Sequence, residues 1–317
     1  MSLLTDNELA IFNNLINISQ DSLYNVMQQY LSRMYKEPLM ITEHYILAQG
    51  DIPIALCAHL DTVFMDNNNK TLIYDRAKEL LLCPEGAGFD DRAGIFAILN
   101  IVKSGLRPHI ILCRDEEIGG IGASALGNTT NPFPELRYII ELDRAHKNDC
   151  VFYDDDDIDF EEYIEGFGFE LAYGSFSDIS FIAPKWNVGA VNLSIGYYHE
   201  HTTHEYLDLR SLFTTINKVK KMLCATNIPT FTFHECEWIA DFTDNKIYTI
   251  CNYCNKLKQS VTTLKVLTPT GFITVCSDCI TYPEIVWCQH CSLPFVSLNK
   301  TYQKIGVGIC PKCQKEN

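Results

Sequence analysis

At 317 residues the chain has room for one large domain and a smaller one, and 47% hydrophobic against 21% charged residues is an ordinary globular composition. No apolar run reaches the roughly 20 residues of a membrane-spanning helix. The opening MSLLTDNELAIFNN has no basic stretch followed by an apolar one, so a soluble, cytoplasmic protein without a membrane partner is expected. Residues 237–317 hold 8 Lys, no Arg and 6 acids, whereas the remainder holds 17 Lys+Arg and 34 acids. So acidic a main body argues against nucleic acid as its substrate.

Residues 5–35 read as helical, with Leu9, Phe12, Leu15 and Ile16, then Leu23, Val26, Met27 and Tyr30, recurring largely at three- and four-residue steps. Ser19 and Asp21 can cap a second helix there. From 45 onward β-rich runs alternate with helical patterns: strand 53–58, helix 91–104, strand 109–113, helix 120–127, strand 138–142, helix 159–166, strand 190–195 and helix 209–224. This alternation predicts an α/β three-layer sandwich with a largely parallel, mixed sheet. The rhythm stops after Asn227-Ile228-Pro229. The expected organisation is N-terminal helices over 1–44 packing on the core, a catalytic domain over 45–230 and a small β-rich region over 245–317.

Four of the apolar runs end on acids or histidines, namely IALCAHLD, HIILCRDEE, YIIELD and VNLSIGYYHEH, and a further acidic pair, Asp90-Asp91, opens a helix. In open α/β sheets ligands bind beyond the carboxyl ends of the strands, which is where His59, Glu116, Glu117, Asp143 and His201 fall. Two residues apart after a buried strand, His59 and Asp61 point to one side, so Asp61 can orient the imidazole. Asp90 at a helix start would have its carboxylate held by exposed N–H groups, as ligand, N-cap or both. Adjacent carboxylates at Glu116-Glu117 can diverge, one towards a metal and the other towards a water. The run Asp154–Asp157 reads as a solvated loop and His146 as a surface residue.

The segments AHLDTVF, GFDDRAGI, RDEEIGGIGA, ELDR, GSFSDIS and HEHTTHEYLDL, taken in this order over residues 45–215, resemble the co-catalytic zinc exopeptidases. That superfamily includes peptidase T, tetrahedral and leucyl aminopeptidases and aminoacylase-like amidohydrolases. The resemblance implies two catalytic Zn2+ ions, with Co2+ or Mn2+ as substitutes. One would take His59 and Asp143, the other Glu117 and His201; Asp90 would bridge them and Glu116 would be the general base. His199 or His204 is the alternative to His201, and Glu141 the alternative to Asp143. Only 57 residues separate Asp143 from His201 and 30 separate His59 from Asp90, too few for the domains that several branches insert at these points. The expected function is metal-dependent hydrolysis of a peptide or amide bond, foremost as an aminopeptidase on small peptides. The alternatives are deacylation of N-acyl amino acids and a non-catalytic adaptor.

Eight of the fourteen cysteines form four Cys-x-x-Cys pairs. Cys251/Cys254 and Cys276/Cys279 lie 21 residues apart, Cys288/Cys291 and Cys310/Cys313 lie 18 apart. Two sequential four-cysteine zinc ribbons with one structural Zn2+ each are expected, with cross-bracing as the alternative. Eight lysines without arginine favour a protein partner or self-association through the ribbons over nucleic acid. Cys57, Cys83, Cys113, Cys150, Cys224 and Cys236 are scattered, and those of them that sit inside apolar strands read as buried thiols.

Overall fold

A computed structural model describes residues 2–64, 69–174, 176–235, 248–250, 252, 257–259, 263–268, 271–276, 279–280, 285–289, 294–297, 299–305 and 307–310. The chain divides into two compact units, Met1–Glu237 and Trp238–Asn317.

The first unit runs α1 (Asp6–Asn17), α2 (Gln20–Met34), β1 (Met40–Ile41), β2 (Tyr45–Ala48), β3 (Ile52–His59), β4 (Ile73–Asp75), β5 (Leu80–Leu82), α3 (Phe89–Lys103), β6 (Pro108–Cys113), α4 (Ile121–Gly127), β7 (Tyr138–Arg144), β8 (Asp149–Val151), α5 (Ile158–Glu165), β9 (Glu170–Leu171), α6 (Asp178–Trp186), β10 (Ala190–Ser194), β11 (Tyr197–Tyr198), β12 (Tyr206–Asp208) and α7 (Leu209–Leu223). Thr5 and Glu8 close a capping box at α1: the Thr5 amide donates to Glu8 Oε2 at 2.9 Å and the Glu8 amide to Thr5 Oγ1 at 3.2 Å. Of the two capping candidates for α2, Ser19 takes the role, accepting from the Ser22 amide.

Eight strands form one sheet in the order β1-β2-β6-β3-β7-β10-β8-β9. Strands β6, β3, β7 and β10 are mutually parallel, flanked by antiparallel β2 and β8. The central strands are apolar almost throughout because helices cover both faces of the sheet. Ile54, Leu56 and Ala58 of β3 join the core under α1, α2, α3, α5 and α7, while Ala55 and Cys57 join the one under α4 and α6. Fully burying each Leu, Ile or Phe contributes about 1.5–3 kcal/mol. The architecture is the expected α/β three-layer sandwich. Helix α3 lies close on β7: a Cβ at Gly94 would come within 2.3 Å of both the Leu142 carbonyl oxygen and Asp91 Oδ1.

Two features were not anticipated. Helix α6 contains Pro184, which weighs against a helix in any propensity reading. A four-stranded sheet, β11-β12-β5-β4, is built from strands of two or three residues, too short to show a period. Its β11/β12 hairpin carries the loop 199–205.

The second unit contains the antiparallel pair β13 (Tyr248–Ile250) and β14 (Leu257–Gln259). Strands β15 (Thr263–Thr268), β16 (Gly271–Cys276), β17 (Ile285–Cys288), β18 (Pro294–Val296) and β19 (Val307–Gly308), with helix α8 (Lys300–Ile305) before β19, form a sheet in the order β16-β15-β18-β17-β19. The hairpin expected in TLKVLTPTGFITV is β15/β16. Cys279 is buried with Val266, Val275 and Ile285, and Cys288 and Cys310 are buried with Val286 and Phe295. Cys251, Cys254, Cys291 and Cys313 lie outside the described residues, as does Cys236, and of Cys276 only its place on β16 is described.

Candidate metal centre

Strand β3 lies between β6 and β7, although the chain visits β6 and then β7 after it. The connections therefore diverge at β3, opening a crevice at the carboxyl ends of these strands. His59 closes β3, Glu116 and Glu117 follow β6, and Asp143 stands near the end of β7. Asp90 arrives from the start of α3 and His201 from the β11/β12 loop, where its φ of 61° lies in the left-handed region.

Among the described residues, two groups of metal-ligating atoms converge here, His59–Asp90–Asp143 and Asp90–Glu117–His201, each with its atoms within 4.8 Å of one another. Asp90 belongs to both. Its Oδ1 lies 3.1 Å from His59 Nε2 and its Oδ2 lies 3.2 Å from His201 Nε2. His59 Nε2 is also 3.6 Å from Asp143 Oδ1, and His201 Nε2 is 3.1 Å from Glu117 Oε2. The His59 side chain is 1% exposed and that of His201 is 50% exposed, so the crevice opens to solvent on the His201 side. His199 and His204 are exposed, and His199 packs edge-on against Tyr206. Glu141 lies outside both groups. Exposed His146 contacts Asp149 at 3.2 Å.

Asp61 holds the arrangement from behind. Its Oδ1 lies 3.2 Å from His59 Nδ1 and accepts the Glu116 amide at 3.1 Å, while Oδ2 accepts the Glu117 amide at 3.0 Å. One carboxylate thus fixes the β3 histidine and the turn after β6 together. The acidic pair opening α3 divides its work differently from expectation. Asp91, not Asp90, accepts the helix amide, from Gly94 at 2.9 Å, and its other oxygen accepts the His59 amide at 3.2 Å. Asp90 has non-helical backbone angles, and its carboxylate faces both histidines.

Several contributors had no assigned role in the sequence. Glu205 accepts the amides of Gly88 at 2.7 Å and Asp90 at 3.0 Å, pinning the entry to α3. Asp143 accepts from Tyr197 Oη and Ser177 Oγ, both at 3.1 Å. Glu205 was visible as the end of a His-x-x-x-Glu spacing; Tyr197 and Ser177 carried no signal beyond lying in quoted segments.

The electrostatics suit cations. Burial alone would depress His59, yet Asp143, Asp61 and Asp90 carry its pKa well above the ordinary imidazole value. Contacts with Asp90 and Glu117 push His201 up to about 11. Burial works against ionising Asp90, but the two histidines hold its carboxyl below the usual range. Burial, reinforced by Asp90, raises Asp143 to about 7, and burial raises Glu116 to about 9. In this state imidazolium protons supply the positive charge the carboxylates require. The nitrogen and carboxylate donor set, together with a buried Glu117 Oε1 that has no partner among the described residues, fits borderline divalent ions. In the second unit the Cys310 amide donates to Cys288 Sγ at 3.4 Å, bringing together two of the cysteines expected in one ribbon.

No family model matches the sequence, and no curated protein matches it. Among solved structures it is similar to the aminopeptidase PepT from Bacillus cereus, with a TM-score of 0.55 and 13% identity over 69% of this chain and 98% of that one. A TET aminopeptidase from a marine-sediment Thaumarchaeota archaeon gives 0.56 and 13% over 71% and 98%. A Zn-dependent exopeptidase from Parabacteroides distasonis gives 0.50 and 14% over 70% and 98%. The chain therefore has the fold seen in aminopeptidases and Zn-dependent exopeptidases.

Proposed function

We propose that the first unit is a two-zinc peptidase acting as an aminopeptidase on small peptides. The observation that carries this reading is the Asp90 carboxylate, which offers one oxygen to each of two ligand groups. His59 and Asp143 would hold one ion, Glu117 and His201 the other, and Asp90 both. When bound, such ions supply Lewis acidity to a water and to the scissile carbonyl. Asp61 fixes the His59 ring so that Nε2 faces the crevice. Glu116, held by its own amide on Asp61, would be ionised by the bound cations, which offset its burial, and would accept the proton of the attacking water and return it to the leaving amine. Its burial keeps the carboxyl away from competing bulk water.

Removing the base while keeping its shape tests the assignment. Glu116→Gln should stay folded and metal-loaded while losing about 10²–10⁴-fold in rate; undiminished hydrolysis would sink the mechanism. Assaying free-amine peptides against N-acylated amino acids separates the aminopeptidase from a deacylase.

For the second unit the reading is two structural zinc ribbons serving protein contact or self-association. It is supported by four Cys-x-x-Cys pairs, by the Cys310–Cys288 contact and by a lysine content without arginine. No helix among the described residues is long and apolar enough to cross a membrane.

A further inference from the structure

Beneath the metal centre, on the same face of the sheet, lies a second set of chemistry-bearing side chains. Cys57 of β3, Cys113 of β6 and Asp178 of α6 bring their Sγ, Sγ and carboxylate atoms within 4.8 Å of one another. Glu141 of β7 pairs directly with Cys57 across the parallel β3/β7 register. It shares that face, because its neighbours Ile140 and Leu142 point into the opposite core. All four residues are completely buried.

Among the described residues, neither oxygen of Asp178 and neither oxygen of Glu141 has a hydrogen-bond partner. Four orphaned carboxylate oxygens in one dry place are unusual, since buried polar groups are nearly always paired. Protonation does not resolve this, because each acid would then need an acceptor for its proton and would still present a carbonyl oxygen. A disulfide is no better. Cys57 pairs with Ile111, so Cys113 is displaced by two residues along the neighbouring strand. One strand spacing and two residue rises set the Cα atoms about 8 Å apart, beyond the reach of an S–S bridge.

We propose that Cys57, Cys113 and Asp178 form a buried zinc site, separate from the His59–His201 centre, with Glu141, which stands outside that group on the paired strand, as the candidate fourth donor. Thiolate and carboxylate are both ligands that zinc takes, and complete burial leaves no open position for substrate. Binding releases to solvent the two thiol protons together with any proton on the carboxyls, and the ion takes the oxygens that lack donors. Burial raises the Cys57 thiol; the contact with Cys57 lowers that of Cys113, but burial with Asp178 and Glu141 beside it carries it up to about 12, as suits thiols that ionise only onto a metal. With Glu141 included, the site would clamp three adjacent strands to the first turn of α6. Ser177, next to Asp178, donates to Asp143, so the clamp would set that contact as well.

The decisive measurement is an anomalous difference map across the zinc absorption edge, from crystals of the full chain purified without chelator and equilibrated with zinc. A peak within bonding distance of the two sulfurs and the Asp178 carboxylate is expected; its absence overturns the proposal. Peaks at the His59–Asp90–Asp143 and Asp90–Glu117–His201 groups are located independently, so either reading can fail alone. A Cys57→Ala, Cys113→Val double variant should bind one zinc per chain fewer by elemental analysis, and an unchanged count refutes the site. Should that variant not fold, the map on the unaltered chain still decides.

Discussion

Replacing Asp61 by Asn removes one negative charge and one acceptor from a group that serves three donors. The donors are His59 Nδ1 at 3.2 Å and the Glu116 amide at 3.1 Å, both on Oδ1, and the Glu117 amide at 3.0 Å on Oδ2. The least damaging placement of the new amide group is at the Oδ2 position, where its N–H bonds face the Glu117 N–H. One hydrogen bond to a charged acceptor is lost, at about 1.5–3 kcal/mol, and the other two weaken. A loss near 2 kcal/mol lowers the melting temperature of a unit this size by about 4–8 °C. The same loss raises local exchange of the Glu116 and Glu117 amides roughly tenfold or more, and zinc affinity should fall about 10–100-fold because the imidazole is no longer oriented. Hydrogen exchange read by mass spectrometry over residues 114–120, with calorimetry on the metal-free chain, checks both. pH adds a sign. Burial works against the Asp61 charge, but His59 and the two amides hold its carboxyl below the ordinary value of 3.8. Its contribution is therefore complete above that value and is lost as pH falls through the lower folded one. The gap between native and variant protein should be constant at neutral pH and close only in strong acid. Unchanged exchange at Glu116 and Glu117 would refute the claim that Asp61 ties β3 to the turn after β6.

Glu205→Gln leaves one of the Gly88 and Asp90 amides facing an N–H group, and should cost about 1.5–3 kcal/mol by thermal unfolding together with faster exchange at residues 86–92. Buried His109 accepts the Gly50 amide at 3.1 Å and stacks on Phe133 at 4.4 Å, and burial lowers its pKa from 6.5 to about 4. Between those values the unfolded chain binds the extra proton, so stability should fall by up to about 3 kcal/mol as pH drops from 6.5 towards 4. Unfolding of His109→Gln over the same range should lack that slope. Phe12 is fully buried and stacked on Phe96 at 4.1 Å, and Phe12→Ala should cost about 3–5 kcal/mol in chemical denaturation. Stripping divalent ions should abolish hydrolysis and lower the melting temperature, with zinc at a hundredfold excess over its Kd restoring about 2.7 kcal/mol per site.

The elements of the first unit were largely legible because each has a period and a boundary. The run HIILC is an uninterrupted apolar strand, and Leu209–Leu223 repeats its apolar residues at helical steps. The candidate ligand types were legible too, since acids and histidines follow apolar strands at the points where an α/β sheet opens. Choosing among neighbours was harder. His199, His201 and His204 share one loop and one chemistry, and only the path of the β11/β12 hairpin brings His201 to Asp90 and Glu117. Asp90 and Asp91 are adjacent and identical, and only the backbone turn at the start of α3 gives one to the histidines and the other to the helix amide. The thiols of Cys57 and Cys113 were foreseen as buried, but 55 intervening residues hide the fact that parallel pairing sets them together beneath the crevice. Residue type and local period are properties of short stretches of chain, so the sequence by itself determined the sandwich, its strand ends and the kinds of candidate ligand. Which oxygen meets which nitrogen depends on strand order, register and loop path, and these exist only once distant segments have packed.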